Sequence, residues 1–415
     1  MNEVRNLVIG IEINTKTSQI AYFDRKANEP VSVPSKIGTN LCECPTVLAK
    51  ISGQDRWFAG YEAEYFSASE GIIRLPNPLT AAVEGKTVEA DGERVEGTVL
   101  LATFIRELLK GLGVPNVVKN TEAVCVTTEE LSGELAGTLL KALELCGFRR
   151  ELCYVQDEGE SFCYFGYCQK PEVSARNMAL ICFDEDDVRF LAMTELRNSK
   201  PFAVVISREE ETTLPAEPVK RDEAFEAAVL EWMDGTSYSG VFITGEGFGA
   251  DWARKSVRAL SRGGARVFAG DNLFAKGACW AALEKKEPKH FRSRLYFGPN
   301  LVRASVGIDV IEDGIPKWYP LIKSGVNWYE DRSECQLILD GRADILVTIV
   351  SMDGAEHRNA KLKLEGLPQR PNRTTRILLR AECIASDRFR ITAEDLGFGE
   401  LFPSSGKHWE LETEL

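Results

Sequence analysis

Two stretches of the chain share one hydrophobic plan: an apolar strand, a polar turn, a second apolar strand. In residues 7–23 (LVIGIEINTKTSQIAYF) the turn is Asn14, Thr15, Lys16 and Thr17. In residues 179–193 (ALICFDEDDVRFLAM) it is Asp184, Glu185, Asp186 and Asp187. The first turn can aim backbone N–H groups and one lysine at a phosphate, and equally it reads as an ordinary hairpin turn. The second turn repels a phosphate, because one like-charge pair at about 5 Å costs about 3 kcal/mol at an effective dielectric near 20. Its four acids read either as a solvated turn or as ligands for Mg²⁺ or Ca²⁺, without the glycine and distant Glu of an EF-hand loop.

Between and after the hairpins the period changes. Residues 44–47 and 57–63 read as short strands or turns. Residues 98–110 place Leu100, Leu101, Phe104, Ile105, Leu108 and Leu109 at helical spacing before Gly111 and Gly113. A strand at 123–126 runs into Thr127 with Glu130 three positions on, which predicts a capping box and a helix burying Leu131, Leu135, Leu139, Leu143 and Cys146 as far as Gly147. Strand followed by capped helix is the α/β pattern. In the second half, 202–206 reads as a strand, 209–218 as a polar loop, and 222–232 as a helix with Phe225, Val229 and Trp232 on one face. A strand at 241–244 leads into Gly245, Glu246, Gly247, Phe248 and Gly249, then a helix through Trp252 and Val257 to Leu260. A strand at 266–269 follows, and Asn272 is placed to cap a helix over 273–283. Past the basic link KKEPKHFRSR, alternating runs at 336–339, 345–350, 361–364, 376–379 and 389–392 predict an antiparallel β-sandwich.

Composition narrows the class. With 415 residues, 44% hydrophobic and 27% charged, the chain has room for two or three domains with cores of their own. A net charge of -13 makes nucleic acid and anionic membrane surfaces poor partners. No apolar run approaches a membrane span and residues 1–20 lack a charged-then-apolar leader, so a soluble, cytoplasmic chain is expected. Eleven cysteines, among them Cys125, Cys146, Cys182, Cys335 and Cys383, sit in apolar runs and read as buried thiols of a reducing compartment. Neither Cys42 with Cys44 nor Cys153, Cys163 and Cys168 have the CxxC spacing of a zinc site. The three histidines, His290, His357 and His408, exclude a histidine triad or His-ligated metal built within the first 289 residues. GxSxG, HExxH and Walker motifs are absent from the sequence.

Two hairpin-led halves followed by a sandwich resemble the actin-fold ATPases and, among them, the DnaK-type heat-shock chaperones. Residues 9–18 are similar to that family's first phosphate motif, with Glu12 in place of its Asp and Asn14, Thr15 and Lys16 in place of Gly-Thr-Thr. Residues 45–63 (PTVLAK, then WFAGYEA) resemble the stretch after it. DEGESFCYFGY at 157–167 resembles the first connecting helix, VFITGEGF at 241–248 the adenosine loop, and NLFAKGACWAAL at 272–283 the second connecting helix. Residues 306–320 and 362–393, with LEGLP and FRITAED, resemble the peptide-binding β-domain. The resemblance implies an α/β actin-like ATPase fold of two duplicated ribonuclease-H-like halves, at 1–175 and, shortened, at 176–286. A linker at 287–300 and an all-β sandwich at 301–415 would complete it. It implies a nucleotide site at Asn14, Thr15, Lys16, Gly245, Glu246, Gly247 and Phe248 holding ATP or ADP with Mg²⁺, and Glu158 and Glu160 near the attacked water, where plain helix-face acids are the alternative. It also implies a protein or peptide partner for residues 301–415, with Trp318, Tyr319, Trp328 and Tyr329 lining a groove or packing in the core.

Departures from the family weaken the chemistry. Asp184, Glu185, Asp186 and Asp187 stand where its second phosphate loop is glycine-rich. No lysine lies near Ile72, Ile73 and Arg74, where its catalytic lysine falls, and Arg74 offers a charge of different geometry. Residues 193–240 are too few for its fourth subdomain, and its apolar linker and helical lid have no counterpart. The expectation is a bacterial-type, chaperone-like pseudo-ATPase or scaffold without catalytic residues. The alternative is an active ATP-dependent chaperone or phosphotransferase using a metal held at 184–187.

Overall fold

Both hairpins form, and each begins a sheet of the same plan. In the computed structural model, which describes residues 6–36, 38–197, 200–249, 251–270, 272–330, 332–341 and 344–415, the chain divides into two units, Met1–Phe297 and Gly298–Leu415. The first sheet of the first unit runs in the order Cys153–Asp157, Thr121–Thr128, Leu7–Ile13, Thr17–Asp24, Glu29–Ser32, with Cys44–Pro45 also on Thr17–Asp24. The second runs Arg266–Ala269, Tyr238–Glu246, Asn177–Asp184, Asp187–Leu196, Phe202–Thr213, with Arg294–Tyr296 added at the edge. In each, the opening strand is antiparallel to its hairpin partner and parallel to the strand on its other side. Leu7–Ile13 is buried at every position, as a central strand covered on both faces must be, and this is why it reads as an apolar run.

The two sheets exchange helices. Helix Glu158–Tyr167 follows the first sheet, yet places Phe162, Cys163 and Tyr167 in the core of the second with Met178, Leu180 and Val204. Helix Leu273–Lys286 follows the second sheet and lays Ala275, Ala278, Cys279 and Ala282 on Val8, Ala21, Ala123 and Cys125 of the first. The approach is close: a Cβ at Gly10 would collide with the backbone of Ala275 and Cys279, and one at Gly277 with that of Ser161. Residues 1–175 and 176–286 therefore each hold a helix that completes the other's core.

Several boundaries move from their sequence positions. The helix expected from Thr127 begins at Gly133, where Ser132 Oγ accepts the Leu135 N–H at 3.2 Å. Thr127 stays extended because its strand pairs on both sides, with Leu7–Ile13 and with Cys153–Asp157. The first half of the polar loop expected from Glu209 is strand: Phe202–Thr213 continues along Asp187–Leu196, with Glu211 opposite Arg189. Opposite charges facing across a ladder support such an outward-facing strand. Asn272 stands at the expected cap with φ 78°, but its side chain makes no capping bond. Between Glu29–Ser32 and Thr121–Thr128 the chain builds an insert around Leu48, Leu75, Ala81, Leu100 and Phe104, carried by Leu48–Ile51, Pro78–Val83 and Gly97–Lys110. Ile72, Ile73 and Arg74 form a strand of this insert. Of the expected linker 287–300, Arg294–Tyr296 belongs to the second sheet.

The second unit pairs two four-stranded antiparallel sheets. One is ordered Ile315–Ile322, Ala304–Glu312, Asp344–Ser351, His357–Lys363, the other Arg332–Ile338, Arg376–Ala385, Arg388–Gly397, His408–Glu414. Strict alternation along Arg388–Gly397 sends Phe389, Ile391, Ala393 and Asp395 inward, into one core with Val306, Val347, Ile377 and Leu379. Asp395 is fully buried and is matched by a two-pronged pair with Arg370, both bonds 2.8 Å, and by the N–H groups of Gly397 and Ser405. Tyr329 is buried, Tyr319 and Trp328 are half-buried against the core, and Trp318 lies over Gly307 at the surface. Among the described residues, no helix is long and apolar enough to cross a membrane.

Candidate functional site

A row of polar side chains crosses the first sheet at the carboxyl ends of its parallel strands, the end where α/β sheets receive ligands. Gln156, Thr127, Glu12 and Gln19 are in register on four adjacent strands and so point to one face. All four are buried, between 0% and 7% exposed. Helix Glu158–Tyr167 covers one end: Gln156 Nε2 donates to Ser161 Oγ at 2.7 Å and Ser161 Oγ donates to Thr127 Oγ1 at 2.8 Å. At the other end Gln19 Nε2 donates to Glu43 at 2.9 Å. Glu12 faces the start of helix Leu273–Lys286, where the Ala275 backbone bonds to it.

Asn14 links this row to the second sheet. Its amide donates to Glu12 Oε1 at 3.3 Å and to Glu158 Oε1 at 3.4 Å, while its Oδ1 accepts the Glu129 N–H at 3.0 Å. Glu158 Oε2 in turn accepts from Arg189 of the second hairpin at 2.7 Å. Burial pushes the Glu12 carboxyl well above the usual carboxylate range, and Glu158 and Glu43 add to the push. Burial also raises Glu158, to about 7, against the pull of Arg189. Two buried carboxyls whose charged forms are disfavoured by burial are a proton-handling arrangement in chemical terms. Glu160 points elsewhere, 3.6 Å from Lys285 on the crossing helix.

The turn at 14–17 is held by its neighbours. Thr46 Oγ1 donates to Asn14 O at 2.7 Å, Thr46 N–H to Lys16 O at 3.0 Å, and Asn77 Nδ2 to Thr15 O at 2.8 Å. Lys16 reaches across to the acidic turn, with Nζ 2.9 Å from Asp184 Oδ1. The other acids have partners too: Asp187 accepts from Thr213 at 2.6 Å, Asp186 from Arg221, and Arg221 also donates to Glu185 O and, at 3.5 Å, to Gly247 O. The acidic turn is thus exposed at all four positions and tied to the fold through Asp184 and Asp186, which face Lys16 and Arg221. Glu185 takes a left-handed φ of 57° at its tip.

Gly245, Glu246 and Gly247 lie along this turn. Phe183 and Asp184 pair with Gly245 and Glu246, and Glu185 N–H donates to Glu246 O at 2.9 Å. With φ of 93° and 108°, a Cβ at Gly245 or Gly247 would collide with Phe183 O or Glu185 O, so these glycines admit the backbone of the acidic turn. Phe248 packs with Phe183 and Trp252, ring centroids 5.6 and 6.1 Å away. In this arrangement Lys16 serves Asp184 where a phosphate-binding turn would offer it to a ligand, and the glycines are packed against protein.

Sequence reasoning singles out both turns and the glycine loop, and the fold brings them together. It does not find Arg189 and Arg221, which come from a strand and a helix with no local signal. The polar row had one: a Glu or Gln near the carboxyl end of a largely apolar strand, as in LVIGIEI and CYVQD. Residues 29–299 match the family described as "Family of unknown function (DUF5716) C-terminal". Residues 301–415 match the one described as "Domain of unknown function (DUF8552)". No curated protein matches the chain.

Proposed function

The chain belongs to the DUF5716 C-terminal family of unknown function, and on that premise we propose that it is a chaperone-like pseudo-ATPase. In this reading an actin-like scaffold with weakened or lost nucleotide chemistry carries a β-sandwich, residues 301–415, that binds a protein or peptide. One observation carries the reading: the lysine of the first turn is paired with the acidic second turn at 2.9 Å, so each satisfies the other. The shared strand order of the two sheets supports the actin-like assignment. The buried free thiols of Cys44, Cys146, Cys163 and Cys279 support a cytoplasmic, reducing location. For the sandwich, an extended peptide adding to a strand edge through backbone bonds is the mode that fits an all-antiparallel unit.

A second reading rests on the buried Glu12 and Glu158, whose raised protonation favours a working site. It makes the chain an active ATP-dependent chaperone or phosphotransferase. Calorimetric titration with ATP and ADP in the presence of Mg²⁺ separates the two. The pseudo-ATPase reading expects weak or no heat of binding and no turnover; sub-micromolar binding with hydrolysis would sink it.

A further inference from the structure

We infer that Cys168, Glu284 and His290 form a binding site for one zinc-class divalent ion, distinct from the polar row. Sequence order hides the group, because Cys168 closes helix Glu158–Tyr167 while Glu284 lies in the last turn of Leu273–Lys286 and His290 follows it. The tight crossing of those helices brings the residues together, and a ligand atom from each lies within 4.8 Å of the others.

The surroundings are those of a built site. The Glu284 side chain is 1% exposed, and its Oε2 accepts the N–H groups of Lys289, His290 and Phe291 at 2.8, 3.0 and 3.2 Å. That fixes Oε1 toward His290 Nδ1, 2.8 Å away. The Trp280 ring stands edge-on to the imidazole at 6.1 Å. Outer contacts of this sort orient ligands at metal centres. Burial holds the Cys168 thiol protonated and Glu284 adds to this, while Arg294 favours the thiolate.

One sulfur, one imidazole nitrogen and one carboxylate oxygen suit Zn²⁺ or Co²⁺, and do not suit Mg²⁺ or Ca²⁺. Metal–ligand bonds of about 2.0–2.3 Å in a tetrahedron set ligand atoms roughly 3.3–3.8 Å apart. The carboxylate and imidazole need only open by about half an ångström and the sulfur close in. On binding, Cys168 gives its proton to solvent and forms the metal–sulfur bond. The neutral imidazole ligates through Nδ1 and carries its proton on Nε2. A dication with a thiolate and a carboxylate is net neutral, which a buried location requires. His290, with its side chain 39% exposed, leaves the fourth position open to water. The ordinary alternative is that Glu284 and His290 only lock the chain reversal after the helix, with Cys168 a bystander.

Cobalt distinguishes the two, since Co²⁺ bound to thiolate gives a charge-transfer band in the near ultraviolet. Titrating the reduced, metal-free full chain should give one Co²⁺ per chain with that band. Cys168→Ser should abolish it, whereas Cys42→Ser, at a thiol outside the group, should keep it. Should Cys168→Ser fail to fold by circular dichroism, His290→Ala still decides, and should weaken Co²⁺ binding by at least about tenfold. No band in the full chain, a band that survives Cys168→Ser, or unchanged affinity in His290→Ala would each overturn the site.

Discussion

Lys16 and Asp184, one from the turn of each hairpin, hold each other at 2.9 Å across the two sheets of the first unit. Both side chains are largely exposed, 71% and 68%, so the pair adds little to stability. Its effect is on what else can approach either turn.

Replacing Asp184, Glu185, Asp186 and Asp187 by Gly, Gly, Gly and Thr frees Lys16, removes the ion pair of Arg221 with Asp186 and removes four negative charges. Affinity for ADP should rise at least about tenfold, or about 1.4 kcal/mol, read by calorimetry. An unchanged affinity would mean that these acids do not limit nucleotide binding.

Gly245→Ala and Gly247→Ala each force a Cβ into a carbonyl of the second hairpin, Phe183 O and Glu185 O, at positive φ. Each should lower stability by about 2 kcal/mol or more in denaturant unfolding. Gly137→Ala, in helix Gly133–Leu145 with open space around it, should be neutral or gain up to about 1 kcal/mol.

Glu12 is protonated in the folded protein over a range where the unfolded chain ionises, so folding stability falls as pH rises above about 4.3. The loss continues until the folded group itself ionises. Glu12→Gln should therefore raise Tm more at pH 8 than at pH 5, measured by thermal melts across that range. A gain that is largest at pH 5 would contradict the direction of the Glu12 shift.

Residues 298–415 have their own core and should fold alone and carry whatever peptide binding exists, with no change in peptide affinity when ATP is added to the full chain. ATP-dependent release of a fluorescent peptide would restore a chaperone cycle. Within this unit Asp395→Ala leaves Arg370 unmatched and should cost about 3–5 kcal/mol. Hydrogen bonds from Arg370 hold the Asp395 carboxyl far below its usual range. Its contribution is complete above the unfolded value of about 3.9 and fades as pH falls below it, so acid should melt wild type toward the variant.

What could be read locally was local in cause. The strand at 266–269 and the helix face of Phe225, Val229 and Trp232 depend on spacing alone, and both are found there. The cap at Ser132 was not legible, because Thr127 carries an equally good signal and loses only through strand pairing on both sides. Strand at 209–213 was hidden by its acids, which are tolerated because Glu209 pairs with Arg189 and Glu210 with Arg208 on an outward-facing edge. Arg221 could not be assigned to the acidic turn at all, since a helix on another part of the chain delivers it.

The contact of Cys279 Sγ with Val8 O, 3.5 Å long, spans 271 positions. At a synthesis rate of about 5–20 residues per second, the apolar face of the opening sheet waits roughly a quarter of a minute to nearly a minute on the ribosome for the helix that covers it. Nascent chains of this protein thus travel most of their length with a sticky surface uncovered, and fragments ending before Leu273 should aggregate however well their hairpin forms.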